Sequence, residues 1–367
     1  MEKMRVMYKI VVAIAAMVIP SLLFAGQGDN EKSKKIIKSF AIDQSAYVEI
    51  ENKYGDIDIE TWNKDSIRFE IIITVQSDKS DDLEGMLSLV KIDLKATNAF
   101  VLASTNWSEE VGLFKKGILK INQEVSSNSR YNIHYKIKMP ATIDLSIKNK
   151  FGNIFMMDYT GKLTIDQSYG DFRAHHITNF KQFSSKYGKV KIKEVDYGRI
   201  NLQSVRSFDI DESIELDVES SSSEISLTEI NTLNIVSSHD EIVIKKIDEI
   251  NGSLSMSDLS IATLNSKFQM TTKYGSLKIG SVAMVCERIN IESNKTDIEL
   301  NLPSALKVKA EFILSEKSYF SNNTNYVETV TEVDGEGLFH SSGKINGGEQ
   351  LDLFIKTTNG YLQVDSE

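Results

Sequence analysis

From Phe151 to Leu302 the chain alternates short apolar and polar runs, punctuated by one recurring phrase: an aromatic, a glycine, a polar residue, then an apolar one. It reads Phe151-Gly152-Asn153-Ile154, Tyr169-Gly170-Asp171-Phe172, Tyr187-Gly188-Lys189-Val190 and Tyr274-Gly275-Ser276-Leu277. The first three copies begin at positions 151, 169 and 187, and continuing that even step reaches degenerate copies at Val205, Ser222, His239, Met256 and Lys295. With the first residue of each phrase as zero, position +3 is Ile154, Phe172, Val190, Phe208, Ile225, Ile242, Leu259, Leu277 and Ile298, apolar throughout. Position +8 is Tyr159, Ile177, Val195, Ile230, Ile247, Leu264 and Val282, with Ser213 beside Ile214 as the exception. A third apolar pair closes the units, as in Leu163/Ile165, Leu233/Ile235 and Ile289/Ile291.

Runs this short cannot each bury a face alone, so neighbouring repeats must stack to share a core. Stacked in register, they pair as parallel strands about 4.8 Å apart. The pattern therefore predicts an all-β, single-chain β-solenoid, or β-helix, with turns of about 18 residues over 151–302. Two places before eight of the nine phrases stand Asn149, Gln167, Ser185, Gln203, Ser220, Ser237, Thr272 and Ser293, a file that stacking would turn into a polar ladder. The repeat glycine is expected to supply either a positive φ or room for close backbone packing.

The flanks read as β-rich caps. Over 40–150, Tyr47-Val48-Glu49-Ile50 alternates, Lys53-Tyr54-Gly55-Asp56 is an early copy of the phrase, and Ile67 to Val75 is rich in β-branched residues. One helix is predicted near 80–90, from the spacing of Leu83, Met86, Leu87 and Val90, with Ser80 and Asp81 at its start. Over 303–367 the period ends at Pro303, and Leu351 to Ile355 and Thr358 to Val364 give strand, turn, strand as a cap over an otherwise open sheet edge.

Residues 1–25 have the charged, apolar, small-residue order of a secretory signal peptide, with cleavage after Ala25. The polar tract 26–39 that comes next reads as flexible. With the leader's three cations and Glu2 gone, the net charge of −10 becomes −12, which argues against nucleic acid and anionic lipid as partners. No other segment approaches spanning length, so the processed chain is not expected to be an integral membrane protein. Cys286 is the single cysteine, which excludes an internal disulfide, and its apolar surroundings suggest a buried thiol.

The leader, the Tyr47–Asp58 strand pair with its Tyr-Gly-Asp, the Trp62 turn, the Tyr131-to-Pro140 strand and the Tyr/Phe-Gly-x-apolar repeats together resemble the exported adhesin-like β-helical proteins of bacteria, a family defined as a domain of unknown function. The resemblance runs from about Phe40 to Val364. It implies a regular β-helix, export to the periplasm, outer surface or medium, and a binding or envelope-scaffolding role without catalysis. It brings no catalytic residues. Its implied partners are a cell-surface glycan or an envelope protein.

Two files on adjacent turns are candidate sites. Phe151, Tyr169 and Tyr187, if exposed, would offer a platform for sugar rings; turned inward or against one another, they are structural. Glu224, Glu241 and Asp258 follow three successive corners, and like charges so stacked repel unless screened or bridged. Ca²⁺ is the cofactor such a file would take; otherwise none is implied. His175 and His176 are adjacent on a strand, so they face opposite ways and cannot chelate jointly. A polysaccharide lyase or hydrolase is the alternative activity. Its requirement for clustered carboxylates or a carboxylate with a basic group finds only Asp171 and Arg173 beside Lys189 and Lys191, which also read as cross-strand pairs.

Overall fold

The computed structural model describes residues 31–77, 83–108, 130–335 and 337–366. The leader, Ser80 and Asp81 lie outside them. The chain divides into two compact units, residues 1–143 and 144–367.

In the first unit β1 (Glu31–Ala41), β4 (Ser66–Gln76) and β7 (Arg130–Met139) are antiparallel neighbours in that order, and β3 (Ile57–Thr61) lies parallel to β7. β2 (Tyr47–Lys53) runs parallel to β6 (Phe100–Trp107), which is antiparallel to β5 (Val90–Ala96). Ile67, Phe69, Ile71, Ile73 and Val75 of β4 are all buried, the two-residue period of a strand with one face in the core. The helix is α1 (Leu83–Leu89), within the expected span, with Leu83 and Leu87 inward at i, i+4. The tract expected to be flexible carries β1 instead. Its backbone is satisfied along the edge of β4, Lys35 bonds Glu70 at 2.7 Å, and Phe40 packs on Phe69.

In the second unit, strands from β8 (Asp144–Lys150) to β16 (Arg288–Leu302) are laid down as successive parallel courses. These include β10 (Asp158–Ser168), β11 (Phe172–Lys186), β12 (Lys189–Gln203), β13 (Ser207–Ser221), β14 (Glu224–Ser238) and β15 (Glu241–Ile279). Phe172 pairs with Val190 and Val190 with Phe208, a step of 18 in number; Phe208 pairs with Ile225 and Ile225 with Ile242, a step of 17; Leu277 pairs with Ile298, a step of 21. The repeat is thus real but uneven. The side chains at position +3 are all buried, and so are those at +8, including Ser213. Ser213 sits in register between Val195 and Ile230, and Ile214 is the one that faces out.

Each course turns at a residue with positive φ: Phe151, Tyr169, Tyr187, Ser204, Ser222, His239, Met256, Tyr274 and Lys295, all between 53 and 62°. This corrects one expectation and decides between the two roles expected of the glycine. The corner is Ser204 rather than Val205, which is buried one step on. The left-handed conformation belongs to the residue before the glycine, and the glycine chiefly supplies room. A Cβ on Gly170 would stand 1.9 Å from the Gly152 carbonyl oxygen, and one on Gly188 would stand 2.0 Å from that of Gly170. Gly275, with φ of 101°, does both, since its Cβ would meet the Ser257 oxygen at 2.2 Å.

The polar ladder is real too, but it lies at a different place in the repeat. Where the corner is followed by Val205, Ser223, Asp240 and Ser257 instead of glycine, the Val205 N–H donates to Ser223 Oγ (3.1 Å), the Ser223 N–H to Asp240 Oδ1 (2.7 Å) and the Asp240 N–H to Ser257 Oγ (3.1 Å). Asp240, itself buried, also accepts from Ser237 Oγ at 2.6 Å and the Ser238 N–H at 3.2 Å. The file two places before the corner is buried throughout, and with the corner at Ser204 it takes in Leu202 in place of the exposed Gln203. Within it, Gln167 serves corner backbone, its Nε2 donating to the carbonyls of Gly152 (3.0 Å) and Asp171 (2.9 Å).

The period also survives past Pro303. β21 (Leu351–Thr358) and β22 (Tyr361–Ser366) pair in parallel with β16, around a corner at Asn359 with φ of 57°. The residues between fold as β17 (Val308–Leu314) and β18 (Tyr319–Asn323), parallel to β21 and β22 respectively, with β20 (Phe339–Ile345) antiparallel to β17 and β19 (Tyr326–Val333) antiparallel to β20. Among the described residues no helix is long and apolar enough to cross a membrane.

Gly170→Ala and Asp240→Ala should each lower the urea midpoint and melting temperature, the first by forcing backbone apart and the second by stranding the buried Ser223 N–H, at about 1–3 kcal/mol or more. Gly85→Ala, with open space around its Cβ on α1, should instead stabilise by about 0.5–1 kcal/mol. Ser213 Oγ is buried without a hydrogen-bond partner. Ser213→Val should therefore raise the melting temperature, and a fall would show that this position is not the inward one.

Candidate functional site

Because a corner with positive φ turns its side chain out of the stack, the aromatic file is exposed: Phe151 is 41%, Tyr169 47% and Tyr187 44% accessible. The rings stack on one another, with centroids 5.0 and 4.9 Å apart and planes inclined by 22 and 16°. Lys150 Nζ lies 5.1 Å from the Phe151 ring centre and 5.6 Å from that of Tyr169. The inner ring faces are thus occupied by neighbouring rings, at about 0.5–1.5 kcal/mol per pair. What the file turns outward is ring edges with the hydroxyls of Tyr169 and Tyr187.

Glu224 and Glu241 are direct register partners on β14 and β15, and both are exposed. Asp258 is exposed as well, and its carboxylate accepts from Ser276 Oγ at 2.6 Å. Lys246, whose sequence position lies close to this file, is held by Glu229. Asp171 Oδ1 accepts the Lys189 N–H at 3.0 Å, and the Arg173 guanidinium lies 5.9 Å from the Phe155 ring centre. The Asp171 carboxylate thereby joins two courses.

The two histidines take different partners, although alternation is interrupted here, since Phe172 and Ile177 are both buried. His175 Nδ1 bonds Asp158 at 2.6 Å, with Lys193 Nζ 3.5 Å from its other nitrogen. His176 Nε2 lies 2.9 Å from Asp196 Oδ1 and 3.8 Å from Glu194 Oε1. Among the described residues these three, His176, Glu194 and Asp196, are the group of histidine and acid side chains whose ligand atoms converge, all within 4.8 Å of one another. The hydrogen bond that the His176 imidazolium donates to Asp196 is the main reason its pKa is raised, with the charges of Asp196, Glu194 and Asp158 adding to it against partial burial. A search for histidine ligands within a strand cannot find this trio. The signal is the repeat itself, since Glu194 stands one repeat step beyond His176 and Asp196 two places further on.

No protein-family profile and no curated protein matches the sequence. Solved structures similar to the chain include one described as a "putative cell adhesion protein" from Clostridium sporogenes, at 13% identity over 92% of this chain and all of that one, with a TM-score of 0.21. A "putative adhesin" from Parabacteroides merdae aligns over 73% of this chain and 92% of its own at 12% identity and a TM-score of 0.33. A "putative lipid binding protein" from Parabacteroides distasonis has the same coverages, 13% identity and a TM-score of 0.30. At identities and TM-scores this low, function must be read from the chain's own geometry.

Cys286 is a free, buried thiol that donates to the Ser266 carbonyl at 3.1 Å, and burial pushes its pKa up to about 11. It is therefore a packing residue rather than a nucleophile. Ellman's reagent near pH 8 should leave it unmodified in the native protein and label one thiol per chain once urea unfolds it. Rapid native labelling would contradict the burial.

Proposed function

We propose that this is an exported, non-enzymatic protein whose second unit is a β-solenoid, flanked in sequence by β-rich caps, that binds a partner through its outward side-chain files. The observation that carries this reading is the exposed aromatic file on three adjacent courses, Phe151, Tyr169 and Tyr187, with the Lys150 ammonium over its first two rings. Tyrosines on a rigid scaffold give contact area at little entropic cost, and each joins an apolar rim to a polar hydroxyl. A cell-surface glycan meets such an edge through its C–H faces and hydroxyls. The lysine adds attraction for an acidic sugar. Parallel pairing over many courses supports the solenoid, because one turn of such a coil requires a register offset that recurs at nearly the same step from course to course. The leader supports export.

A glycan array probed with the wild-type protein and the Tyr169→Ala/Tyr187→Ala double variant tests this, with circular dichroism showing that the variant is folded. Binding to a defined set of glycans is expected, weakened about tenfold or more in the variant, as alanine replacement of anchoring aromatics commonly does. Equal signals would remove the aromatic file as the binding surface. Release of reducing ends or unsaturated uronides from a polysaccharide would replace a binding protein with a carbohydrate-active enzyme.

A further inference from the structure

We propose that His176, Glu194 and Asp196 form a binding site for a single divalent transition-metal ion, of the Zn²⁺ class, on the outer face of β11 and β12. His176 and Glu194 are direct register partners across these strands, and Asp196 lies two places along β12 from Glu194. Glu194 and Asp196 flank the buried Val195, and His176 precedes the buried Ile177, which pairs with Val195. The packing of two core residues thus fixes the outward direction of all three ligands. Bond lengths of about 2.0–2.2 Å from zinc to imidazole nitrogen and carboxylate oxygen put ligand atoms on a tetrahedron roughly 3.3–3.6 Å apart. The observed separations of 2.9 and 3.8 Å from His176 Nε2 bracket that range, so side-chain rotations suffice to reach it.

The surroundings favour a cation. By register, His176 stands in a file that reads Asp158, His176, Glu194, Glu212 and Glu229 across five courses, and the first basic residue in that file is Lys246, paired with Glu229. Asp158 meets His175 and Glu229 meets Lys246, so the negative charge nearest His176 is that of Glu194, Glu212 and the adjacent Asp196, which a bound divalent ion would relieve. An imidazole with two carboxylates suits Zn²⁺, Co²⁺ or Ni²⁺; Ca²⁺ takes six to eight oxygens and Mg²⁺ keeps near-octahedral oxygen coordination. Three protein ligands leave a fourth position for water or for an oxygen of a bound partner. The ion would bridge β11 to β12 in a chain whose lone cysteine excludes a disulfide between them. His134 and His340 supply an internal contrast, each meeting a single carboxylate, Asp58 at 3.1 Å and Asp334 at 3.0 Å.

Isothermal titration of ZnCl₂ into the full tag-free chain, stripped with chelator and dialysed, should give one saturable equivalent near neutral pH. His176→Ala and the near-isosteric Asp196→Asn should each weaken it about tenfold or more, whereas His175→Ala, which removes the neighbouring imidazole and leaves the trio intact, should change it less than about twofold. Co²⁺ added to the wild type should give the intense visible absorption of a four-coordinate site, absent from Asp196→Asn. Circular dichroism identifies any variant that fails to fold, and the other ligand variant then decides. No saturable binding, unchanged binding in folded His176→Ala or Asp196→Asn, or equal loss in His175→Ala would overturn the assignment.

Discussion

Close backbone approach at the corner is the constraint on which the second unit depends. At Gly170 and Gly188 the chain passes so near the carbonyl of the preceding corner that a methyl group has no place. Where glycine is absent the gap is spanned instead, because Ser223, Asp240 and Ser257 each accept a hydrogen bond from the backbone of the course before. Either arrangement locks one course over another at a fixed step. That lock sends positions +3 and +8 inward together, since slipping a strand by a single place would reverse every side chain. It also keeps outward residues in file. The core and the surface files therefore share a single cause.

The corner residue carries a second cost. A non-glycine in the left-handed region is disfavoured by about 1–2 kcal/mol, yet the successive corners from Phe151 to Lys295 adopt it. Parallel pairing on both sides over-determines the conformation, and outward projection leaves the side chain free of the core. Phe151, Tyr169 and Tyr187 recover part of the cost by stacking on each other. Aromatic identity at these corners is thus partly structural.

The inward half of this architecture was legible because burial permits few residue types: the recurring apolar positions survive even where the Tyr-Gly phrase has decayed. What escaped was set by details that period counting averages out. A locally shorter step put the corner at Ser204 rather than Val205. The polar ladder sits one place after the corner rather than two before it, and side-chain chemistry alone does not distinguish those places, since both files are rich in serine. The course containing Thr357, Asn359, Gly360 and Leu362 has the phrase in weak form, but an insertion separates it from Ile298, with which Leu362 pairs. β1 was hidden because its lysines are compatible with an edge strand as well as with a solvated tail.

Outward positions follow a different logic, and it bears on where function can lie. Changing an inward or corner-adjacent residue alters the stack, whereas the corner itself accepts Phe, Tyr, Ser, His, Met and Lys with nearly the same backbone angle. Surface chemistry can therefore vary course by course without disturbing the scaffold, and the repeat multiplies whatever is placed there by setting it beside its neighbours on adjacent strands. The same repetition makes a file of like charges self-repelling, so Glu194 beside Glu212, or Glu224 beside Glu241, persists at a cost that water and salt only partly screen. Lys246 relieves Glu229, and Ser276 serves Asp258. Glu194 and Asp196 instead converge on an imidazole, the one arrangement among these files in which donor atoms of mixed type meet at metal-ligand spacing.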